Sequence, residues 1–320
     1  MRTGKLYIDS KDAYDRYGVY VVDDGYNQLV AFPPRKTVKS NDWQEEDGIE
    51  ADLSEPVLNT REVEIKFAVS GLFSRYFKFF ELISDGAYHN FNFVEIGRTY
   101  RLRLTQQPNL DAGKILGVYT LKFADDFPLT PESDFSDYVA PASTVATSQE
   151  YLIDDHPTTY WGVRLLQGSL AEVMKSAAVK QNLLRNIPSQ AGVVYDPQNV
   201  TYKSKDVKLN CLLRAASLTE FWRSYDAFLY DLIRPEERTL YVSEIEEEFL
   251  FYYKSCQTKN FFPDDGKIWF EFTLTVTFTE QFRILQGDMV LASESNICIE
   301  TEDGGYLIDM QPDSKYFPDE

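Results

Sequence analysis

Glu62-Val63-Glu64-Ile65-Lys66-Phe67 alternates charged and apolar residues without a break. Val207-Lys208-Leu209-Asn210-Cys211-Leu212 repeats the alternation 144 residues later. A period of two sends successive side chains to opposite faces, so each run reads as a strand with one buried and one wet face. The match spreads outward from these runs at the same offset. Tyr17-Gly18-Val19 returns as Trp161-Gly162-Val163, Gly48 as Gly192, Ile49 as Val193, Asp52 as Asp196, Val63 as Val207 and Ile65 as Leu209. It resumes at changed offsets. Phe79, Leu82 and Ile83 answer to Leu229, Leu232 and Ile233; Glu95-Ile96 to Glu244-Ile245; Tyr100 to Phe249; and Gly113-Lys114 to Gly266-Lys267. The chain reads as one domain present twice.

Each copy reads the same way locally. Tyr17 to Val22 is β-rich and stops at Asp23-Asp24-Gly25. The polar stretch Lys36 to Asp47 reads as a long loop or an extended hairpin arm. After the alternating strand, Ser70-Gly71 opens a helix with Phe73, Phe77, Phe80 and Ile83 at spacings of three and four, and Asp85-Gly86 stops it. That aromatic face is expected to bury against the sheet. In the second copy Ser217 and Glu220 form a capping box, Phe221, Tyr225, Phe228, Leu229 and Leu232 form the apolar stripe, and Arg234-Pro235 ends the helix. Asp303-Gly304-Gly305 marks a further hairpin near the end of the chain. The expected fold class is mainly β (α+β), as two tandem β-sandwich or barrel domains with one packed α-helix each. Residues 1–127 form the first domain, 128–150 an acidic linker, 151–284 the second domain, and 285–320 a C-terminal hairpin with an acidic tail.

At 320 residues, 43% of them hydrophobic, the chain has material for two cores. Its net charge of −19 is uneven: residues 128–150 and 285–320 together supply 12 of the excess negatives. The domains are mildly acidic and carry no basic stripe, which argues against sequence-specific nucleic-acid binding and against anionic lipid. No run of about 18 apolar residues spans a membrane, and an acid at Asp9 interrupts any secretory core. The expected setting is the cytoplasm. Cys211, Cys256 and Cys298 have no zinc or CxxC spacing and read as structural thiols.

Catalytic chemistry is thin. His89 and His156 sit in polar, loop-like sequence without triad partners, and there is no HExxH, Walker or GxSxG motif. Glu244, Glu246, Glu247 and Glu248 form the densest acid cluster. As a strand, they read as a solvated edge or an interface face rather than a cation site. The aromatic run Phe249 to Tyr253 alternates faces, so half of it reads as core rather than a sugar platform. The sequence implies no catalytic residue, no cofactor and no metal.

The order of parts is a long polar arm, an alternating strand, one amphipathic helix and further strands. Together with Asp47-Gly48-Ile49-Glu50-Ala51-Asp52-Leu53 leading to Arg61-Glu62-Val63-Glu64-Ile65, it resembles the phage tail-tube domain of tube, distal tail and baseplate hub proteins. The likeness covers roughly residues 14–125 and 158–280. It implies a structural role in a phage or prophage tail, in which domains join edge to edge into a ring around a DNA channel. With two domains per chain, a trimer with pseudo-sixfold symmetry is expected, a hexamer being the alternative. The strands carrying Val63, Ile65, Val207 and Leu209 are candidate ring interfaces, with other tail or baseplate proteins as partners and the virion tail as destination. Distal tail proteins often carry a different second domain, a point on which this chain departs. A carbohydrate-binding or adhesion protein of two β-sandwiches is the alternative.

Overall fold

Both alternating runs are strands, and each lies inside a sheet rather than at its rim. The computed structural model describes residues 2–70, 73–112, 116–128, 139–180, 184–195, 200–264 and 266–280. The expected C-terminal hairpin, the acidic tail, Cys298, Gly113 and Asp196 lie outside them. The first half contains β1 (Leu6–Ile8), β2 (Lys11–Asp12), β3 (Val19–Val21), β4 (Ser40–Asn41), β5 (Glu50–Ala51), β6 (Arg61–Ser70), β7 (His89–Phe93), β8 (Arg98–Ala112) and β9 (Leu116–Asp125). The second contains β10 (Tyr151–Ile153), β11 (His156–Pro157), β12 (Val163–Leu165), β13 (Leu184–Asn186), β14 (Val193–Tyr195), β15 (Lys205–Ala215), β16 (Arg238–Val242), β17 (Glu247–Asp264) and β18 (Lys267–Phe278).

The two seven-stranded sheets run β2-β1-β7-β8-β9-β6-β3 and β11-β10-β16-β17-β18-β15-β12, so adding nine to each label of the first gives the second. The strand pairs within each sheet are antiparallel. Each half adds a small separate hairpin, β4–β5 and β13–β14. The fold is mainly β, with helices α1 (Ala13–Tyr17), α2 (Phe73–Ile83), α3 (Ser169–Met174) and α4 (Leu218–Ile233). Met1–Glu280 forms one compact unit.

Glycine explains the entry into each sheet. Gly18 (φ 68°) closes α1 and Gly162 (φ 75°) closes a 3₁₀ turn at Thr158–Trp161. A Cβ on Gly18 would stand 2.5 Å from the Ser70 carbonyl oxygen, a clash that glycine avoids, and one on Gly162 would crowd the Arg214 carbonyl oxygen at 3.0 Å on a left-handed backbone. The strand expected from Tyr17 to Val22 is therefore shorter, Val19–Val21, with Tyr17 ending the helix before it.

The helices correct one reading and support another. In α2 the buried side chains are Tyr76, Phe79 and Ile83, whereas Phe77 is 60% exposed and Phe80 is half-buried. Residues 76, 79 and 83 share one helical face, and 77 and 80 lie beside it. In α4, Phe221, Tyr225, Phe228, Leu229 and Leu232 are all buried, as their spacing requires. Ser217 Oγ accepts from the Glu220 N–H at 3.2 Å. Glu220 reaches one residue past the box, accepting from the Ala216 N–H (2.9 Å) and, through its other oxygen, from Thr144. That contact ties part of the expected linker to the second half, as do Arg223 to the Ala140 carbonyl and Arg164 to the Ala146 carbonyl.

Candidate functional site: two hairpin arms and their basic seats

The polar stretch before the alternating strand is an arm. β4 and β5 pair Ser40 with Ala51 and Asn41 with Glu50. The arm does not extend into solvent; it lies on the second half of the chain. Lys180, 2% exposed, donates to the carbonyls of Trp43 (2.7 Å), Glu46 (2.8 Å) and Gly48 (2.8 Å) and pairs with Asp42 at 2.6 Å. A buried ammonium has three protons to place, and the turn of the arm supplies acceptors for them. The Gly48 N–H donates to the Tyr202 carbonyl, the Ile49 N–H to the Thr279 carbonyl, and the Tyr202 N–H to Asp47 Oδ1, each at 2.8 Å. Gly48 has φ 70°, and a Cβ there would stand 1.6 Å from the Thr279 carbonyl oxygen. Glycine at 48 is thus a packing requirement as well as a turn requirement.

The segment leading into this arm also crosses to the second half. Phe32, 1% exposed, stacks among Tyr225, Phe228, Phe270 and Phe272, with ring centroids 4.3 to 6.1 Å away. Tyr225 and Tyr253 donate to carbonyls of this segment, and the Arg35 N–H donates to the Lys254 carbonyl. Arg98 adds an ion pair with Asp226 at 2.9 Å and stacks over Trp222.

A second basic device recurs in both halves. Arg61 donates to the carbonyls of Leu29 and Ala31, both at 2.9 Å, and pairs with Asp125 at 2.6 Å. Lys205 holds the carbonyls of Val173 and Lys175, each 144 positions on, at 2.5 Å. Phe278 replaces the carboxylate there, its ring 5.3 Å from the Lys205 ammonium. Without that counter-charge, burial lowers the Lys205 pKa to about 8.

A third device escaped the sequence reading altogether. His89 is buried at the start of β7, its Nδ1 2.6 Å from Asp9 and its Nε2 3.1 Å from Asp85. Arg238 holds Asp154 at 2.8 Å in the same place of the second sheet. Asp9 and Asp154 also accept backbone N–H groups from Asn90 and Thr239, and both aspartates have positive φ (47° and 46°). Burial alone would lower the His89 pKa, but the two carboxylates outweigh it and the pKa is raised. One clue was available: His89 and Arg238 are basic residues at the same offset as the Glu95 and Glu244 pair.

The other expected site residues fall as follows. Val63, Ile65, Val207 and Leu209 are 0 to 1% exposed, so their side chains face the core of the chain and offer no surface. Glu244 and Glu246 lie in the turn between β16 and β17 rather than in a strand, and Glu246 has φ 55°. Phe249, Phe251 and Tyr253 are core, while Leu250 and Tyr252 are half-buried. His156 is exposed and contacts the Asp154 carbonyl at 2.8 Å. Among the described residues no His, Cys, Asp or Glu group is arranged to hold a metal ion. No described helix is long and apolar enough to cross a membrane.

These features define a β-rich α+β chain with two like sheets, coupled through an arm and a set of basic anchors. No family model matches the chain. No curated protein matches it either. Among solved structures it is similar to the crystal structure of the SPP1 Dit (gp 19.1) protein, described as a paradigm of the hub adsorption apparatus in phages that infect Gram-positive hosts. The match covers 87% of this chain and 98% of that one at 15% identity and a TM-score of 0.31, a weak structural likeness.

Proposed function

We propose that the chain is a structural, non-catalytic subunit of a phage or prophage tail, of the distal tail or baseplate hub kind, which assembles into a ring around the DNA channel. The two sheets of one strand order are read as a duplicated tube-type domain, and three chains supply six such domains. The observation that carries this reading is the seating of β4–β5 on Lys180. It is a head-to-tail contact in which the arm of one domain lies on the body of a like domain, and contacts of that kind propagate and close into rings. The mildly acidic domains suit a conduit, because basic walls would hold passing DNA.

Native mass measurement across concentration tests the reading. A closed trimer is expected, with six copies as the alternative. A strict monomer at high concentration contradicts it. A ring in negative-stain images would separate it from the glycan-binding alternative. The exposed Phe262 and Trp269, paired across β17 and β18, are the residues to substitute for that comparison.

A further inference from the structure

Lys36 is the counterpart of Lys180 at the 144-residue offset, and the backbone around the two is the same. The Lys180 N–H donates to the Thr201 carbonyl at 2.7 Å, and the Lys36 N–H to the Val57 carbonyl at 2.9 Å. Lys203 N–H to Ala178 carbonyl (2.8 Å) is matched by Asn59 N–H to Pro34 carbonyl (2.7 Å). The isolated bridge Val179–Tyr202 is matched by Arg35–Leu58. The seat is therefore built twice and filled once. Lys36 is exposed, and among the described residues its ammonium meets no acceptor. Beside it the Arg35 guanidinium is buried with neither terminal nitrogen hydrogen-bonded. Both line a cleft of about 290 Å³ that includes Val57.

The piece that fits such a seat is also present and unoccupied. β13–β14 pairs Leu184 with Tyr195 and Arg185 with Val194, the register of β4–β5 shifted by 144. Its turn is exposed from Pro188 to Gly192, and Val193 and Val194 are 50% and 53% exposed. Gly192 has φ 83°, close to the 70° of Gly48, yet nothing lies within 4 Å of a Cβ built on it. In this chain the second arm does not reach the Lys36 seat.

We propose that the β13–β14 arm of one copy seats on the Arg35–Lys36–Val57 cleft of a second copy, repeating between chains the contact that β4–β5 makes within one. This rests on the ring reading above and names its contact. The carbonyls of Ile187, Gln190 and Gly192 take the places of Trp43, Glu46 and Gly48 around the ammonium, and the Gly192 N–H donates to the Leu58 carbonyl. The arms differ in charge. Asp42, Glu46, Asp47 and Glu50 of the first become Asn186, Gln190, Ala191 and Val194 in the second. The contact between copies therefore relies on backbone acceptors and apolar cover, and it responds weakly to salt. Lacking an inserted aromatic such as Phe32, it is the weaker of the two contacts, which lets the chain fold before it assembles.

The test uses the full chain. Sedimentation velocity across concentration compares the native protein with Lys36→Glu and Val193→Asp, with thermal melting as the folding control. A photoreactive benzophenone residue at 193, in mixed isotope-labelled copies, maps the contact by peptide mass. The native chain is expected to associate. Both variants should associate about tenfold or more weakly at an unchanged melting temperature, and position 193 should cross-link between copies to the segment 34–59. Variants that assemble like the native chain, or a cross-link that maps elsewhere, overturn the seat and leave the ring reading standing. A native chain that stays monomeric at every concentration overturns both.

Discussion

β4–β5 and β13–β14 occupy the same place in their halves and hold the same register, but their surroundings differ. The first arm is clasped by a buried lysine and its glycine is pressed against backbone; the second has an exposed turn and an open glycine. The difference shows that a repeated local structure does not fix what it touches. The first arm lies on the second half of the same chain, whereas among the described residues the second arm meets no matching seat. The basic anchors divide in the same way. Arg61, Lys205 and Lys180 each hold the carbonyls they face, and among the described residues Lys36 alone of these four is without them.

The largest test of this comparison is the crossing aromatic. Phe32→Ala empties a buried slot and should cost about 3–5 kcal/mol in urea unfolding. Ser176→Ala, at the exposed equivalent position, should stay within about 0.5 kcal/mol. Equal losses would mean that the two crossings are not distinct. Next comes the glycine pair. Gly48→Ala must push Thr279 aside and should cost about 3–4 kcal/mol, while Gly192→Ala meets only the left-handed backbone cost of about 1–2 kcal/mol. If both lower the melting temperature alike, the second arm is not open.

The lysine pair is third. Lys180→Met leaves three carbonyls and Asp42 without their donor and should cost about 2–3 kcal/mol, whereas Lys36→Met should be nearly silent in the monomer. The smallest effect concerns pH. The raised pKa of His89 means its strut to Asp9 and Asp85 is at full strength below 6.5, the ordinary histidine value, and is lost as pH rises through the raised value. Arg238 keeps its charge over that range. Melting curves should therefore show the first half weakening with rising pH, and His89→Arg should flatten the trend. A trend unchanged in that variant would remove His89 as its source.

Much of this architecture is legible in sequence because its causes are local. Alternation gave β6 and β15, and the stripe of α4 was correct residue by residue. In α2 the aromatics are so dense that spacings of three and four fit two adjoining faces. Only packing against the sheet chose Tyr76 and Phe79 over Phe77 and Phe80, while Ile83 is buried as its spacing requires. The offset also paired Gly18 with Gly162 and Gly48 with Gly192, all of which have positive φ. The candidate interface residues were legible as strand but not as surface: alternation says that one face is buried, and Val63, Ile65, Val207 and Leu209 are on it.

Sequence alone thus determined the two alternating strands, the one long helix of each half and the glycine turns, since each follows from spacing or from a backbone angle that only nearby residues set; the short strands that carry His89 and His156 read as loop. Tertiary structure decided which arm is held. Lys180 meets carbonyls 132 to 137 positions away, and Phe32 enters a core built from residues beyond 220. No local pattern marks such a contact. Lys36 and Lys180 differ in what the fold brings to them and not in what they are.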